Sequence, residues 1–221
     1  LLLSDGTEFI GDSVGFQGSS CGEVVFNTSM SGYQEIITDP SYSNQLVTLT
    51  SPHVGNVGCN GDDMESSEIH LAGLIVKNLS FFYSNHRGQE GINDFLIRNK
   101  IVGISNIDTR KLTLHLRKNG AKNGVILSFD EKKIKNINEV RKRAANFLVP
   151  FKGILGSNLA GDVGMSTDYE FKNRGKKNAN LFNTRDPLVI VYDLGVKHNI
   201  LKILNKFNCI VKVVPYDFKY E

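Results

Sequence analysis

The strongest constraint on the fold is a strand–helix–strand pattern over residues 188–214. Leu188 to Tyr192 is a continuous apolar run, typical of a parallel strand that is buried on both faces. Asp193-Leu194-Gly195 then predicts a turn, Val196 to Phe207 a helix, and Cys209 to Val214 a second strand. The predicted helix directs four apolar side chains inward, namely Ile200, Ile203, Leu204 and Phe207. Such a unit opens a doubly wound α/β domain, and about 30 residues cannot bury both of its faces alone.

A second constraint is a strand–loop–strand pattern over residues 22–50. Val24-Val25-Phe26 and Gln45 to Thr50 predict strands, and the connection between them is rich in hydroxyl and amide side chains. Within it, Pro40 fixes its own φ and pushes Asp39 out of the helical region, which predicts a turn. Two buried strands joined by a long polar connection indicate a binding surface on a rigid scaffold. An ordinary surface loop with local Asx and Ser turns is the alternative.

Strands and helices alternate through the rest of the chain. Residues 1–16 predict a β-hairpin. Further strands are predicted at Leu71 to Val76, Ile101 to Ile104 and Gly124 to Leu127, and helices at Gly91 to Lys100 and from Asp108 or Thr109 to Gly120. Asp130 is predicted to cap a longer helix whose apolar stripe is Ile134, Ile137, Val140, Ala144 and Phe147. Residues 150–187 lack regular periodicity and predict an interdomain connector.

Composition excludes several classes of protein. The chain has 221 residues, 40% of them hydrophobic, so it can bury a packed core and disorder is not expected for most of it. A net charge of +3 is too balanced to indicate a nucleic-acid-binding protein. No run reaches the about 18 apolar residues that a membrane helix needs. Leu1-Leu2-Leu3 runs straight into a turn and predicts a strand, not a signal peptide.

Cysteine and histidine spacing predicts neither a disulfide framework nor a metal site. The three cysteines, Cys21, Cys59 and Cys209, are widely spaced and odd in number, which favours a reducing compartment, with the cytoplasm as the default. The five histidines are His53, His70, His86, His115 and His198, and they show no metal-binding spacing with cysteines or carboxylates. His115 lies beside the apolar stripe of its predicted helix and is expected to be structural.

Residues 22–58 carry a resemblance to a known family. The run GEVVFNTSMSGYQEIITDPSYSNQLVTLTSPHVGNVG is similar to the signature of the small, glutamine-handling subunit of carbamoyl phosphate synthetase. The similarity continues in the same order through residues 65–67, 84–85, 107–113 and 192–201. A match of that length is far more specific than an isolated glycine motif. Most members of the family carry Phe at the position of Leu194 and Arg at the position of His198, so local packing there is expected to differ.

The resemblance implies an architecture and an activity. It implies a three-layer β/β/α swivelling domain over residues 1–149, a connector over 150–187 and the start of a type 1 glutamine amidotransferase domain over 188–221. It also implies a subunit that hydrolyses L-glutamine and passes ammonia through a tunnel to a large synthetase subunit. The large subunit would make carbamoyl phosphate from bicarbonate, ammonia and two ATP, for arginine and pyrimidine biosynthesis. ATP, magnesium and potassium are expected on that partner, and no cofactor on this chain.

Catalysis of glutamine hydrolysis needs a cysteine thiolate, an imidazole that activates it and a carboxylate that orients the imidazole. None of the three cysteines lies between a strand and a following helix, where a nucleophile elbow would place it. The resemblance places the family's nucleophilic cysteine, and its histidine and glutamate, beyond residue 221. No catalytic residue is therefore assigned here, and the fragment alone is expected to be inactive.

Ser41 is the one residue that the resemblance assigns to substrate. It matches the serine of the family's Asp-Pro-Ser-Tyr-Ser motif, which lies beside the glutamine pocket. Its hydroxyl can donate a hydrogen bond to the carboxylate or amide oxygen of L-glutamine while the Pro40 turn holds it in place. A serine turn without a ligand is the alternative.

Two other functions fit the same residues. One is a non-catalytic module that uses this fold only to dock a partner. The other is the amidotransferase part of a fused multidomain synthetase, in which the synthetase follows on the same chain. A heterodimer of small and large subunits is the expected assembly otherwise, with a higher oligomer of heterodimers left open.

Overall fold

The computed structural model describes residues 1–130, 132, 136–171 and 186–219. The strands are β1 (Leu2–Leu3), β2 (Asp12–Gly15), β3 (Ser19–Asn27), β4 (Gln45–Leu49), β5 (Gly73–Ile75), β6 (Val102–Ser105), β7 (Lys122–Leu127), β8 (Tyr169–Glu170), β9 (Leu188–Asp193) and β10 (Ile210–Pro215). The helices are α1 (Tyr33–Ile37), α2 (Ile92–Arg98), α3 (Thr109–Asn119), α4 (Ile137–Leu148), α5 (Leu159–Val163) and α6 (His198–Lys206), with a 3-10 turn at Pro40–Tyr42.

The larger sheet has the strand order β1-β7-β3-β4-β5-β6-β2 within the described residues. Strands β3, β4, β5 and β6 run parallel to one another. Strands β7 and β1 add one antiparallel edge, and β2 pairs antiparallel with β6 at the other. Parallel strands need crossover connections, which explains why helices and loops lie on both faces of this sheet. The predicted α/β class is confirmed.

Two apolar cores lie on opposite faces of the larger sheet. Side chains alternate between the faces along each strand, so Leu46 joins one core and its neighbour Val47 joins the other. On one face, α1 and α2 pack onto the sheet through Ile37 and Phe95, both almost fully buried. On the other face, α3 packs through Leu112. The period-2 pattern of the strands thus sets where each helix can bury its apolar stripe.

Helix α3 matches its prediction closely. The carboxylate of Asp108 accepts a hydrogen bond from the Lys111 amide at 2.8 Å and caps the first turn. Leu112 and Leu116 are buried on one face, as their spacing predicts. Gly120 follows the helix with φ of +77°, a conformation that glycine adopts without the steric cost of a Cβ.

Helix α4 differs from its prediction at its start. Asn136, and not Asp130, caps it, because the Asn136 side chain accepts from the Asn138 amide at 2.9 Å. Asp130 instead accepts from the Lys132 amide at 3.0 Å, within a local turn. Ile134, predicted on the apolar stripe, lies outside the described residues. Phe147 is on the helix but remains 44% exposed.

The β9–α6–β10 unit confirms the predicted parallel strand pair, but two burial predictions are wrong. Leu188, Ile190 and Tyr192 are exposed, so only one face of β9 is covered among the described residues. In α6 the fully buried residue is Leu201, Leu204 is partly buried, and the predicted inward residues Ile200, Ile203 and Phe207 are exposed. The physical reason is that α6 contacts β10 through the stripe containing Leu201, while no described element covers the opposite faces.

Two short elements lie inside the range predicted as a connector. Helix α5 covers Leu159–Val163, and β8 pairs antiparallel with β10 at Tyr169 and Glu170. Strand β8 therefore extends the second sheet, whose order is β8-β10-β9. Residues 172–185, the most polar part of the predicted connector, lie outside the described residues.

The predicted structural histidine of α3, His115, contacts the N-terminal turn and provides a test at low pH. Leu3 donates to the Thr7 carbonyl across the turn, and the His115 imidazole of α3 lies 2.6 Å from the Asp5 carboxylate. Burial raises the pKa of Asp5, but hydrogen bonds from the Thr7 amide and His115 outweigh it and lower the pKa to about 2. Because the folded pKa is depressed, this stabilisation is present above pH about 4 and is lost as the pH falls toward 2.

We expect Asp5→Asn to lower the free energy of unfolding at pH 6 by less than about 1 kcal/mol, since the pair is partly exposed and screened by solvent. At pH 2 the stability gap should be clearly smaller, because about half of the Asp5 carboxylates in the folded protein are then protonated. Urea denaturation at both pH values measures the difference. A stability gap that is the same at pH 2 and pH 6 would contradict the assigned hydrogen bonds.

Candidate functional site

Ser41 lies in the 3-10 turn at Pro40–Tyr42, directly after α1. Pro40 occupies the first position of the turn, where its fixed φ suits the geometry. The Asp39 side chain accepts a hydrogen bond from the Ser41 amide at 2.9 Å, so the turn is held by an aspartate cap. Asp39 and Pro40 are buried, whereas Ser41 is exposed. The fold thus presents the Ser41 hydroxyl on a turn that is rigid beneath it.

The same aspartate joins the turn to the second sheet. Lys197 Nζ lies 2.7 Å from Asp39 Oδ2, so one carboxylate oxygen serves the turn and the other serves an ion pair. Asp39 is largely buried in this pair, and Lys197 is about two-fifths exposed. The hydrogen bond to Asp39 raises the pKa of Lys197 above its usual value, so the lysine stays charged.

The turn after β9 lies against the Ser41 turn. Asp193 organises it, because its Oδ1 accepts from the amides of Gly195 and Val196, each at 3.0 Å. Gly195 has φ of +91°, and a side chain there would come within 3.0 Å of the Pro40 Cβ. The carboxyl end of β9 and the Ser41 turn are therefore in contact.

A polar cavity of about 240 Å³ lies beside this contact. Segments next to both sheets contribute to its lining, which includes Pro40, Ser66, His70, Tyr169, Asp193 and His198. Burial lowers the pKa of His198, with the nearby Lys202 acting in the same direction. Ser41 does not line this cavity. Ser41 and the cavity thus lie on either side of Pro40. Among the described residues, the Ser41 hydroxyl makes no hydrogen bond.

Helix α1 anchors the loop that follows Gly58. The Gln34 side chain is buried and bonds both backbone groups of Asn60, donating to its carbonyl at 2.5 Å and accepting from its amide at 2.9 Å. Tyr33 donates its hydroxyl hydrogen bond to the Gly58 carbonyl at 2.7 Å. Burial raises the pKa of Tyr33 well above its usual value, so the phenol remains a donor. These contacts make the polar connection between β3 and β4 a packed scaffold.

The three cysteines do not have the character of a nucleophile at this site. Cys21 lies within β3, Cys59 is fully buried in the loop, and Cys209 precedes β10. Burial raises the pKa of the Cys21 thiol, and burial together with Glu90 raises that of Cys59 to about 12. A protonated thiol is a poor nucleophile, so neither of these two residues is activated for attack on an amide.

Three polar residues that organise this region were not predicted to do so. Asp39 and Asp193 were predicted only in turns, and Lys197 had no predicted role. The signals were an aspartate directly before Pro40 and an Asp-x-Gly turn after an apolar strand, both typical of carboxylates that accept backbone hydrogen bonds. The pairing of Asp39 with Lys197 joins residues far apart in the chain and has no local signal.

Two further observations, on metal binding and on membrane spanning, concern the described part of the chain. No group of three or more His, Cys, Asp or Glu side chains there could hold a metal ion. Among the same residues, no helix combines the length and apolar character needed to cross a bilayer.

Comparison with known proteins identifies the family. A family model described as "Carbamoyl-phosphate synthase small chain, CPSase domain" matches residues 1–126. A relative named carbamoyl phosphate synthase small chain, from Buchnera aphidicola subsp. Baizongia pistaciae, is 48% identical over 227 residues, covering 100% of this chain and 56% of the relative. The protein of the same name from Neisseria gonorrhoeae is 44% identical over 224 residues, covering 100% of this chain and 58% of the relative.

The chain thus spans a little over half the length of the curated relatives that it matches. The resemblance carried by residues 22–58 is confirmed, because both relatives match along the whole chain and share one name. The chain therefore belongs to the carbamoyl phosphate synthase small chain family.

Proposed function

We propose that the complete protein is the glutamine-hydrolysing subunit of a carbamoyl phosphate synthetase. It releases ammonia from L-glutamine and passes it to a large subunit, which makes carbamoyl phosphate from bicarbonate, ammonia and ATP for arginine and pyrimidine biosynthesis in the cytoplasm. ATP, magnesium and potassium belong to that partner. Family membership supports the activity. The observation that supports a role for this chain in glutamine binding is the contact between the Ser41 turn and the carboxyl end of β9.

We also propose the division of the chain that the resemblance implies. Residues 1–149 form a three-layer β/β/α swivelling domain, 150–187 a connector and 188–221 the start of a type 1 glutamine amidotransferase domain. The exposed apolar face of β9 supports the last assignment, because Leu188, Ile190 and Tyr192 would be buried by a further layer of a doubly wound domain.

The activity is tested with the complete protein and its large subunit purified together. We expect carbamoyl phosphate synthesis from either glutamine or ammonium chloride. The large subunit alone should use only ammonium. A complex that forms but makes carbamoyl phosphate from ammonium only would overturn the glutaminase assignment and favour the non-catalytic docking module.

Within this function, Ser41 donates a hydrogen bond to the carboxylate or amide oxygen of bound glutamine. The rigid turn beneath it limits the entropy lost on binding, since Pro40 and the Asp39 cap already fix the backbone. Hydrogen bonds to charged groups contribute about 1.5–3 kcal/mol, which is large enough to be measured as a change in KM.

Ser41→Ala in the complete enzyme should raise the KM for glutamine about tenfold or more, since tenfold corresponds to about 1.4 kcal/mol. Ammonium-dependent synthesis should not change, because it bypasses the glutamine site. Ser31→Ala is a matched control, since Ser31 is also exposed and lies in the same connection. Glutamine kinetics unchanged in Ser41→Ala, or changed equally in both variants, would refute the assigned contact.

A further inference from the structure

Helix α6 begins without a capping side chain of its own. Lys197 occupies the position before its first turn and makes no side-chain hydrogen bond to the helix amides, and the first turn contains no acidic residue. The first amides of any helix have no partner within the helix. Each of these groups needs an acceptor from elsewhere in the protein if it is shielded from water.

Glu65, which precedes α6 by more than a hundred residues, supplies two of those acceptors. Its backbone carbonyl accepts from the His198 amide at 2.8 Å. Its side-chain Oε2 accepts from the Asn199 amide at 3.0 Å. Glu65 is only 9% exposed, so its carboxylate is directed at the helix and not at solvent. A negative charge at this end also complements the helix dipole.

The loop that carries Glu65 is fixed to the Ser41 segment. The Thr38 hydroxyl accepts from the Glu65 amide at 2.9 Å, and the Ser66 hydroxyl donates to the Thr38 carbonyl at 2.8 Å. Thr38 is fully buried and lies three residues before Ser41. One short set of hydrogen bonds therefore runs from the Ser41 turn through Thr38 and Glu65 to the start of α6.

A second contact strengthens the same junction. Lys202, one turn into α6, donates from its Nζ to the Asp62 carbonyl at 2.7 Å. The loop over residues 62–66 thus contacts α6 at its first amides and along its first turn. Since α6 follows directly from the Asp193-Leu194-Gly195 turn, any shift of the helix would move that turn relative to Ser41.

We propose that Glu65 is a positioning residue for glutamine hydrolysis. Glu65 caps α6 from the loop between β4 and β5. In doing so it fixes the turn after β9 at the distance from Ser41 that glutamine binding requires. Glu65 touches neither substrate nor reacting atoms in this role; it acts through α6. The inference rests on the proposed function, because its effect is read through glutamine use.

Two variants test it in the complete protein with its large subunit. Glu65→Ala removes the side-chain acceptor and should raise the KM for glutamine about tenfold, because the turn after β9 is then no longer fixed at its distance from Ser41. The kcat for ammonium-dependent synthesis should stay unchanged. Glu65→Gln keeps an oxygen that can accept from the Asn199 amide, and it should restore most of the glutamine KM.

Asp62→Ala is the matched control. It removes one carboxylate from the same loop, its side chain is exposed, and the backbone carbonyl that accepts from Lys202 is retained. Amide hydrogen exchange at Asn199 gives a readout independent of activity. Exchange there should be faster in Glu65→Ala than in the unchanged protein or in Asp62→Ala.

Three outcomes would overturn the inference. The first is a glutamine KM in Glu65→Ala equal to that of Asp62→Ala. The second is a Glu65→Gln variant as impaired as Glu65→Ala. The third is unchanged hydrogen exchange at Asn199, which decides the question even if Glu65→Ala loses both activities. Absence of glutamine-dependent synthesis in the unchanged complex would instead overturn the proposed function itself.

Discussion

Purified residues 1–221 alone are expected to hydrolyse glutamine no faster than buffer. Loss of the nucleophile of a catalytic triad costs on the order of a 10⁶-fold rate advantage. Cys21 and Cys59 have thiols whose pKa burial raises, and Cys209 lies at the entrance to a strand and not in an elbow between a strand and a helix. A coupled assay for glutamate, compared with the complete protein at equal concentration, measures the difference.

The matching control is the complete protein with Cys21, Cys59 and Cys209 all changed to alanine. Its glutamine hydrolysis should stay close to that of the unchanged protein, because none of these thiols attacks the substrate. Circular dichroism of residues 1–221 establishes that the fragment is folded in the assay. Glutamate release from the folded fragment that an alkylating agent abolishes would show that one of the three thiols is catalytic.

Gln34→Ala is expected to cause the largest loss of stability tied to the site. The substitution leaves the buried amide and carbonyl of Asn60 without partners, and each unsatisfied group costs about 1–3 kcal/mol. The free energy of unfolding should therefore fall by roughly 2–6 kcal/mol, and the Tm should fall with it. Differential scanning calorimetry and urea denaturation of the complete protein measure both quantities.

Gln89→Ala provides the comparison for that loss. Gln89 also accepts from the backbone of the same loop, at Gly61 over 3.2 Å, but its side chain is exposed. Water can replace that hydrogen bond, so the expected cost is within about 0.5 kcal/mol. Equal losses in the two variants would mean that burial of the Gln34 amide does not stabilise the loop.

Local signals in the sequence were sufficient for several elements. Asp108, Leu112 and Gly120 predict the start, the buried face and the end of α3, since capping and helical spacing act within a few residues. The strand that ends at Pro215 and its parallel partner were also predicted, because apolar runs bounded by turn residues have few alternative structures. The α/β class followed from these elements.

Burial was harder to predict than secondary structure. The apolar spacing of α6 placed Ile200 and Phe207 inward, yet Leu201 is the residue that packs onto β10. An amphipathic pattern identifies a stripe, but the neighbouring elements decide which part of it is covered. The five-residue helix α1 was missed because its polar residues read as a loop, and its buried Gln34 gains its partner from residues much further along.

The candidate site was only partly predictable from local signals in the sequence. Ser41 and its turn were identified from a short motif, and the structure places that turn against the carboxyl end of β9. The contacts that hold the two together join Asp39 to Lys197 and Glu65 to Asn199, pairs that are well over a hundred residues apart. No local pattern encodes such pairs, because they arise only when both segments have folded.

The most direct test of the account is a crystal structure of the complete protein with glutamine bound, and the decisive quantity is the distance from Ser41 Oγ to the nearest ligand oxygen. The account predicts a hydrogen bond of about 2.6–3.0 Å, made from a turn that still carries the Asp39–Lys197 pair. A glutamine bound beyond hydrogen-bonding reach of Ser41, with that hydroxyl still in solvent, would contradict it.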